Sequence, residues 1–269
     1  MNIQTDLSDA ALVTAIRANL CEFFRHLGRS SPETSFDNGS FTRWDSPIQH
    51  PWFNGVLSSR LPEEMDSAFI DETLQHFRSK NKHACTWWLA PHLKPQDWQA
   101  TLSRFDFHLS NDTPGMAADL QALNETSQTV DGLEVHVVAD DESLRTWVHI
   151  FVSGYGLPLE WESLVYEQWT KLGLGFPLRN YLGYLNGKPV STSCLFLGGG
   201  VAGIYSVSTL PEARGKGIGA AVTLRPLYNA HEMGFRIGVL QSSDMGLSIY
   251  KNLGFKHLCQ IEYFYRSLS

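Results

Sequence analysis

The chain has 269 residues, of which 43% are hydrophobic, and this is enough to bury apolar cores in two domains of about 130 residues each. A net charge of −7 argues against a general nucleic-acid binder. The four cysteines are widely scattered without a C-x-x-C pair, so they predict neither a disulfide framework nor a zinc site, and they favour reduced thiols in a cytoplasm.

The first half of the chain predicts a mixture of helices and short strands. Helices are expected at 6–29, 62–79 and 95–104, and strands at 41–44, 52–58, 84–89, 105–109 and 116–120, the last two of which could pair. The segment 121–131 is polar and typical of neither element. We therefore expect a domain boundary near residue 130, giving domains 1–130 and 131–269.

The second half predicts a regular alternation of strands and helices. Asp140 or Asp141 can cap a helix through residue 151, and Asn186-Gly187 is a two-residue hairpin signal. The expected strands are 133–138, 181–185, 188–197, 201–209, 237–241 and 255–265, and further helices are expected at 159–172, from the glycine loop to 233, and at 246–253. This order predicts an α/β (α+β) fold with one mixed sheet and helices on both sides. The longest uncharged run, 189–211, is too polar to span a bilayer, and the first ten residues lack the pattern of a signal peptide.

A glycine-dense loop between the strand 201–209 and the next helix is the main candidate for a binding site. Gly215, Gly217 and Gly219 can bring backbone N–H groups to an anion at a helix N-terminus. A Walker-type P-loop sequence is absent. The loose dinucleotide pattern is present, but four residues separate the strand from its first glycine, and the next strand ends in Gln241-Ser242 with no carboxylate at its tip. An ordinary surface turn would avoid the entropic cost of three glycines in five residues.

Two motifs around this loop carry a family resemblance. Arg214-x-x-Gly217-x-Gly219 resembles the acyl-CoA loop of the GNAT superfamily of N-acyltransferases, whose pattern is Gln/Arg-x-x-Gly-x-Gly/Ala. Downstream, Tyr250-x-x-x-Gly254-Phe255 looks like the closing helix-turn-strand of the same family. The resemblance covers residues 131–269. Residues 1–130 have no counterpart of the loop, but their strand–helix–strand–helix order parallels the tail of the fold, so the whole looks like two tandem GNAT-like domains with a degenerate first copy.

The resemblance implies a donor, an acceptor and a set of site residues. The donor would be acetyl-CoA or another acyl-CoA, and the acceptor an amine of a small molecule or peptide, without nucleic acid, membrane or metal. Backbone groups of the strand end would meet the pantetheine arm, and the loop would meet the pyrophosphate. The implied coenzyme-binding residues are Val207, Ser208, Thr209, Arg214, Gly215, Lys216, Gly217, Ile218, Gly219, Ala220 and Ser243. For the Arg214 and Lys216 side chains, phosphate contact and simple solvation both remain open.

The resemblance also implies a catalytic residue. Tyr250 lies where the family places a tyrosine beside the sulfur, as the general acid for the departing thiolate; the alternative is a core tyrosine on a short helix. Pro226, inside the helix after the loop, should kink that helix or leave the Val222 carbonyl without its usual partner. No base is identified, and Glu160 and Glu162 are candidates that are more often solvated carboxylates. A non-catalytic CoA-binding or sensing protein remains the rival hypothesis.

Overall fold

A computed structural model describes residues 2–32, 35–59, 67–91, 98–123 and 130–268. The chain forms two compact units, each built from two separate segments. Unit 1 comprises Met1–Asn19 and Pro114–Leu258, and unit 2 comprises Leu20–Thr113 and Cys259–Ser269. These units are not the two contiguous segments expected from the sequence, because the first residues of the chain join unit 1 and the last ones join unit 2. The functional division into domains 1–130 and 131–269 stays a prediction, and much of the segment around its boundary lies outside the described residues.

The helices and strands follow the predicted order in the second half of the chain. The helices are α1 (Asp9–Gly28), α2 (Ser67–Ser79), α3 (Trp98–Arg104), α4 (Asp141–Tyr155), α5 (Glu162–Leu172), α6 (Ile218–Glu232) and α7 (Asp244–Asn252). The strands are β1 (Phe36–Asp37), β2 (Phe41–Trp44), β3 (Gly55–Ser58), β4 (Ala84–Leu89), β5 (His108–Asp119), β6 (Leu133–Val137), β7 (Leu178–Leu185), β8 (Lys188–Gly198), β9 (Val201–Thr209), β10 (Ile237–Gln241) and β11 (Lys256–Ser267). The starts predicted for α2 and α3, at 62–66 and 95–97, lie outside the described residues.

Unit 1 contains a mixed sheet with strand order β5-β10-β9-β8-β7-β6. Strands β9 and β10 are parallel, whereas β5–β10, β6–β7, β7–β8 and β8–β9 are antiparallel. This confirms the predicted α/β fold with a mixed sheet. The prediction of two paired strands at 105–109 and 116–120 was wrong, because β5 runs continuously past Pro114. Pro114 has no N–H to donate, and it joins the pairing through its carbonyl, which accepts the N–H of Ser242 at 2.9 Å.

Local signals in unit 1 act as the sequence predicted. The Asp140 carboxylate accepts the N–H of Ser143 at 2.8 Å and caps α4. Asn186 and Gly187 both adopt positive φ, +51° and +77°, which is the conformation of a two-residue hairpin turn between β7 and β8. These short-range signals are strong because each is satisfied within a few residues of the chain.

Pro226 lies in the third turn of α6 and removes one helical hydrogen bond. The carbonyl of Val222, four residues earlier, accepts the hydroxyl of Ser193 on β8 at 2.6 Å. Ser193 and Val222 are both fully buried, so this bond satisfies a carbonyl that water cannot reach. The Val222 carbonyl, which Pro226 leaves without its helical donor, therefore links α6 to the sheet.

Unit 2 contains the strand order β1-β2-β3-β4-β11. Strands β3 and β4 are parallel, and residues Glu262–Ser267 of β11 pair antiparallel with β4. Its core includes Phe77, Trp87 and Phe107, all fully buried. Among the described residues of both units, none of the helices combines the length and apolar character needed to cross a membrane.

Candidate active site

The carboxyl end of β9 has an edge that its parallel neighbour leaves open. Within the described ranges, β10 pairs with β9 only from Ala202 to Ile204. On the opposite edge, β8 continues to pair as far as Thr209, and the N–H of Leu210 reaches the Val190 carbonyl at 2.9 Å. Because successive residues of a strand direct their N–H and C=O groups to opposite edges, those of Val207 and Thr209 face away from β8. This segment can accept a further extended chain.

A bulge at the centre of β9 separates the paired part of the strand from the open part. The register with β8 shifts between Thr192 and Cys194, and Ser206 adopts a φ of +52°. The Thr192 hydroxyl donates to the Ser206 carbonyl at 2.9 Å and lies 2.9 Å from the Ser208 hydroxyl. The Ser191 hydroxyl also donates to the Ser208 carbonyl at 2.5 Å. Buried hydroxyls of β8 therefore fix the bend that turns β9 away from β10.

The side chains of Ser208 and Thr209 belong to this hydroxyl network. The Ser208 hydroxyl also lies 3.5 Å from the Ile150 carbonyl of α4, and the hydroxyls of Ser191 and Thr209 are 3.0 Å apart. Coenzyme contacts of residues 207–209 through backbone groups stay a prediction. Because the hydroxyls of Ser208 and Thr209 already bond within the protein, such contacts would use backbone groups.

Two side chains already donate to the outward carbonyls of this edge. The Tyr155 hydroxyl, at the end of α4, donates to the Val207 carbonyl at 3.1 Å. The Arg214 Nε donates to the Thr209 carbonyl at 2.9 Å, and its Nη2 donates to the Gly154 carbonyl at 2.9 Å. Arg214 therefore joins the end of α4 to the end of β9. Its predicted phosphate contact is untested, and its observed partners are these carbonyls.

The glycine loop is exposed from Arg214 to Gly217 and leads directly into the first turn of α6, where Ile218 and Ala220 are buried. Gly215 and Gly217 have φ of +75° and +80°, a left-handed conformation in which a side chain is strained. The intrahelical bonds begin with the N–H of Ala221 to the Gly217 carbonyl, so the preceding N–H groups of the turn have no partner four residues back. A Cβ on Gly215 would meet no atom within 4 Å, and one on Gly219 only the Thr209 hydroxyl at 3.9 Å. The N–H groups of a helix N-terminus favour an anion, and their predicted contact with a coenzyme pyrophosphate stays a prediction.

Lys216 and Ser243 have local partners. The Lys216 amino group donates to the Glu212 carbonyl at 3.3 Å. The exposed Ser243 caps α7 by accepting the N–H of Gly246 at 3.3 Å. Both stay predicted coenzyme contacts. The cap shows why a small hydroxyl residue suits position 243 whether or not a ligand binds there.

Tyr250 lies on the buried face of α7 and is 9% exposed. Burial raises the pKa of Tyr250 to about 12, and a hydrogen bond with the Thr223 hydroxyl opposes that rise. Thr223 in turn donates to the Gly219 carbonyl at 2.8 Å. A phenol with this pKa is protonated at neutral pH. Tyr250 is thus linked through Thr223 to the first turn of α6, while packing in the core of unit 1.

The Tyr155 phenol lies close enough to Tyr250 for the two to interact electrostatically. Burial raises the pKa of Tyr155, and the neighbouring Tyr250 phenol raises it further, although 37% of the residue surface is exposed. The Tyr155 ring also packs at 5.0 Å from Phe151. The sequence predicted no role for Tyr155, because an aromatic residue at a helix end is not by itself a site signal.

The candidate bases are exposed. Glu162 accepts the ring N–H of His149 or pairs with the protonated ring at 2.8 Å, and side-chain exposures are 35% for Glu162 and 55% for His149. Glu160 lies in a short 3-10 turn, Leu159–Trp161, on the surface. The role of Glu160 or Glu162 as the base stays a prediction.

Comparison with solved structures defines the class of fold. A GCN5-related N-acetyltransferase from Kribbella flavida aligns with 92% of this chain and 95% of its own, at 17% identity and a TM-score of 0.63. A functionally unknown conserved protein from Staphylococcus epidermidis aligns with 86% of this chain and 92% of its own, at 13% identity and a TM-score of 0.65. No family model and no curated protein sequence matches the chain.

A third structure bears on the arrangement of the two halves. A tandem GNAT protein from the clavulanic acid biosynthesis pathway aligns with 83% of this chain and 77% of its own, at 15% identity and a TM-score of 0.56. The chain therefore has the GNAT fold, and the tandem arrangement fits it. The resemblance carried by the two sequence motifs is confirmed at the level of the fold.

Proposed function

We propose that this protein is an N-acyltransferase that moves an acyl group, most simply acetyl, from acyl-CoA to a primary amine of a small molecule or peptide in the cytoplasm. The observation that carries the proposal is the open edge at Val207–Thr209, together with the exposed loop Arg214–Gly217 that leads into the N-terminus of α6. An extended amide-bearing arm can add to such an edge, and an anionic group suits the helix N-terminus. The GNAT fold supports the same assignment.

Acyl-CoA would supply an activated thioester carbonyl, which the neutral amine attacks; the C–S bond breaks as the C–N bond forms, and the thiolate takes up the proton that the amine nitrogen releases. The N–H of Val207, which lies on the open edge, is a donor for the developing oxyanion. The N–H groups of Ile218, Gly219 and Ala220 would hold the pyrophosphate. Tyr250 would donate a hydrogen bond to the departing sulfur. Since its pKa is about 12, full proton transfer to a thiolate is unfavourable and a hydrogen bond is the larger part of its effect.

A second candidate function is CoA binding without catalysis. Tyr250 is almost fully buried, and Tyr155 and Arg214 occupy the outward carbonyls, which is also compatible with a protein that binds CoA without catalysis. Titration calorimetry with CoA and acetyl-CoA tests donor binding, for which we expect a micromolar Kd. A thiol-release assay across a panel of amines then separates enzyme from sensor. No heat with any acyl-CoA would reject both functions, and binding without thiol release would favour the sensor.

A further inference from the structure

The open edge of β9 is asymmetric in its hydrogen-bonding groups. Its outward carbonyls, from Val207 and Thr209, accept bonds from Tyr155 and Arg214. Arg214 makes a second bond, to the Gly154 carbonyl, and is therefore held at two points. Tyr155 reaches the edge through its hydroxyl, at the end of an aromatic side chain. An arriving amide N–H thus meets a phenol at Val207.

The position of Tyr155 favours movement of its side chain. It is the last residue of α4, and Gly156 follows it in a left-handed conformation with φ +67°. The residue is 37% exposed, so part of its side chain faces solvent although its ring packs against Phe151. Gly154, one residue earlier, lies against Ser208: a Cβ there would come within 2.6 Å of the Ser208 hydroxyl. The helix backbone is consequently fixed beside β9, and the Tyr155 side chain is the part that can change.

We propose that Tyr155 controls binding of acyl-CoA at the open edge of β9 by competing with the pantetheine amide for the Val207 carbonyl. This inference rests on the proposed function. In the free protein the phenol satisfies the carbonyl, and acyl-CoA binding exchanges that bond for one from the coenzyme arm. Loss of the Tyr155 bond therefore offsets part of the hydrogen-bonding energy of the coenzyme arm. The Tyr155 hydroxyl lowers the affinity for acyl-CoA, and in the free protein it satisfies the Val207 carbonyl.

Tyr155→Phe removes the hydroxyl and keeps the ring that packs on Phe151. Because a typical neutral hydrogen bond contributes a net energy equivalent to about threefold to tenfold in an equilibrium constant, the Kd for CoA should fall by that factor. Tyr166→Phe is the matched control, since the Tyr166 hydroxyl bonds to Asp141 at the opposite end of α4. Its Kd for CoA should equal that of the wild type. Thermal melting checks that both variants fold.

Adenosine 3′,5′-bisphosphate, which lacks the pantetheine arm, is the second probe. Its affinity should be the same in the wild type and in Tyr155→Phe, because it does not reach Val207. An unchanged or weaker Kd for CoA in Tyr155→Phe would overturn the inference while leaving wild-type CoA binding, and thus the proposed function, intact. Equal tightening of both probes would also overturn it. Failure of CoA to bind either protein would reject the inference together with the proposed function, whereas binding by Tyr155→Phe alone would support it.

Discussion

The two glycines at the start of α6 should respond differently to the same substitution. Gly217 has φ +80°, and alanine in that conformation costs about 1–2 kcal/mol. Gly219 lies inside the helix, where an added Cβ meets only the Thr209 hydroxyl at an ordinary distance of 3.9 Å. Alanine at 219 removes a helix-interior glycine and gains about 0.5–1 kcal/mol. The two variants therefore differ in stability by about 2 kcal/mol.

The Kd for CoA should also differ between the two variants, and Gly217→Ala should bind more weakly than Gly219→Ala. If Gly217→Ala relaxes the left-handed turn, at least one N–H of the first helical turn no longer points at the pyrophosphate. A hydrogen bond to a charged group contributes about 1.5–3 kcal/mol, so the Kd for CoA should rise about tenfold or more. Gly219→Ala should change the Kd by less than about threefold.

Denaturant unfolding and titration calorimetry on the same preparations measure both effects. Gly217→Glu adds charge repulsion and should abolish binding. Equal Kd values for Gly217→Ala and Gly219→Ala, with the stability difference present, would refute the assignment of this turn to the pyrophosphate.

Two further substitutions test the site and its support. Tyr250→Phe should leave the Kd for CoA unchanged and lower kcat. Because the pKa of Tyr250 is raised from 10.0 to about 12, ionisation of the wild-type phenol should not lower the rate below about pH 10. The stability that the protonated phenol adds should be complete below that pH and should be lost as the pH rises towards 12. An unchanged kcat would remove Tyr250 from its role. Ser193→Ala should cost about 1–3 kcal/mol in urea unfolding, because the buried Val222 carbonyl loses its donor. In a Pro226→Ala background, where residue 226 regains an N–H, that cost should shrink, and an equal cost in both backgrounds would contradict this account.

The sequence predicted those parts of the fold whose signals are local. The hairpin at Asn186-Gly187, the cap at Asp140 and the vacancy left by Pro226 are each decided within one turn of the chain. The course of β5 was missed because Pro114-Gly115 resembles a turn, whereas the pairing of β5 with β10 overrides that local preference. The make-up of the two compact units also depends on long-range packing, because the first and last segments of the chain join different units.

The site divides along the same line. The positions of the glycine loop before α6 and of Tyr250 on α7 could be read from the sequence, whereas their roles toward a coenzyme stay predictions. The partner of Ser193 was not, since it depends on β8 passing beneath α6. Tyr155 was not either, because its contact with Val207 needs the end of α4, the bulge at Ser206 and the departure of β10 to occur together. A residue whose role depends on three elements leaves no spacing pattern in the sequence.

These contacts also give the groove a definite polarity. Tyr155 and Arg214 donate to the outward carbonyls of Val207 and Thr209, and the N–H groups of these two residues lie on the same edge. In the proposed function, these N–H groups and the first turn of α6 would complement a thioester carbonyl and a pyrophosphate. An amide N–H is the one part of a coenzyme arm that this arrangement opposes at Val207, since the phenol already holds that acceptor. Under the proposed function, the backbone of this edge would favour a ligand rich in oxygen acceptors, and the Tyr155 hydroxyl would set how tightly the remaining amide binds.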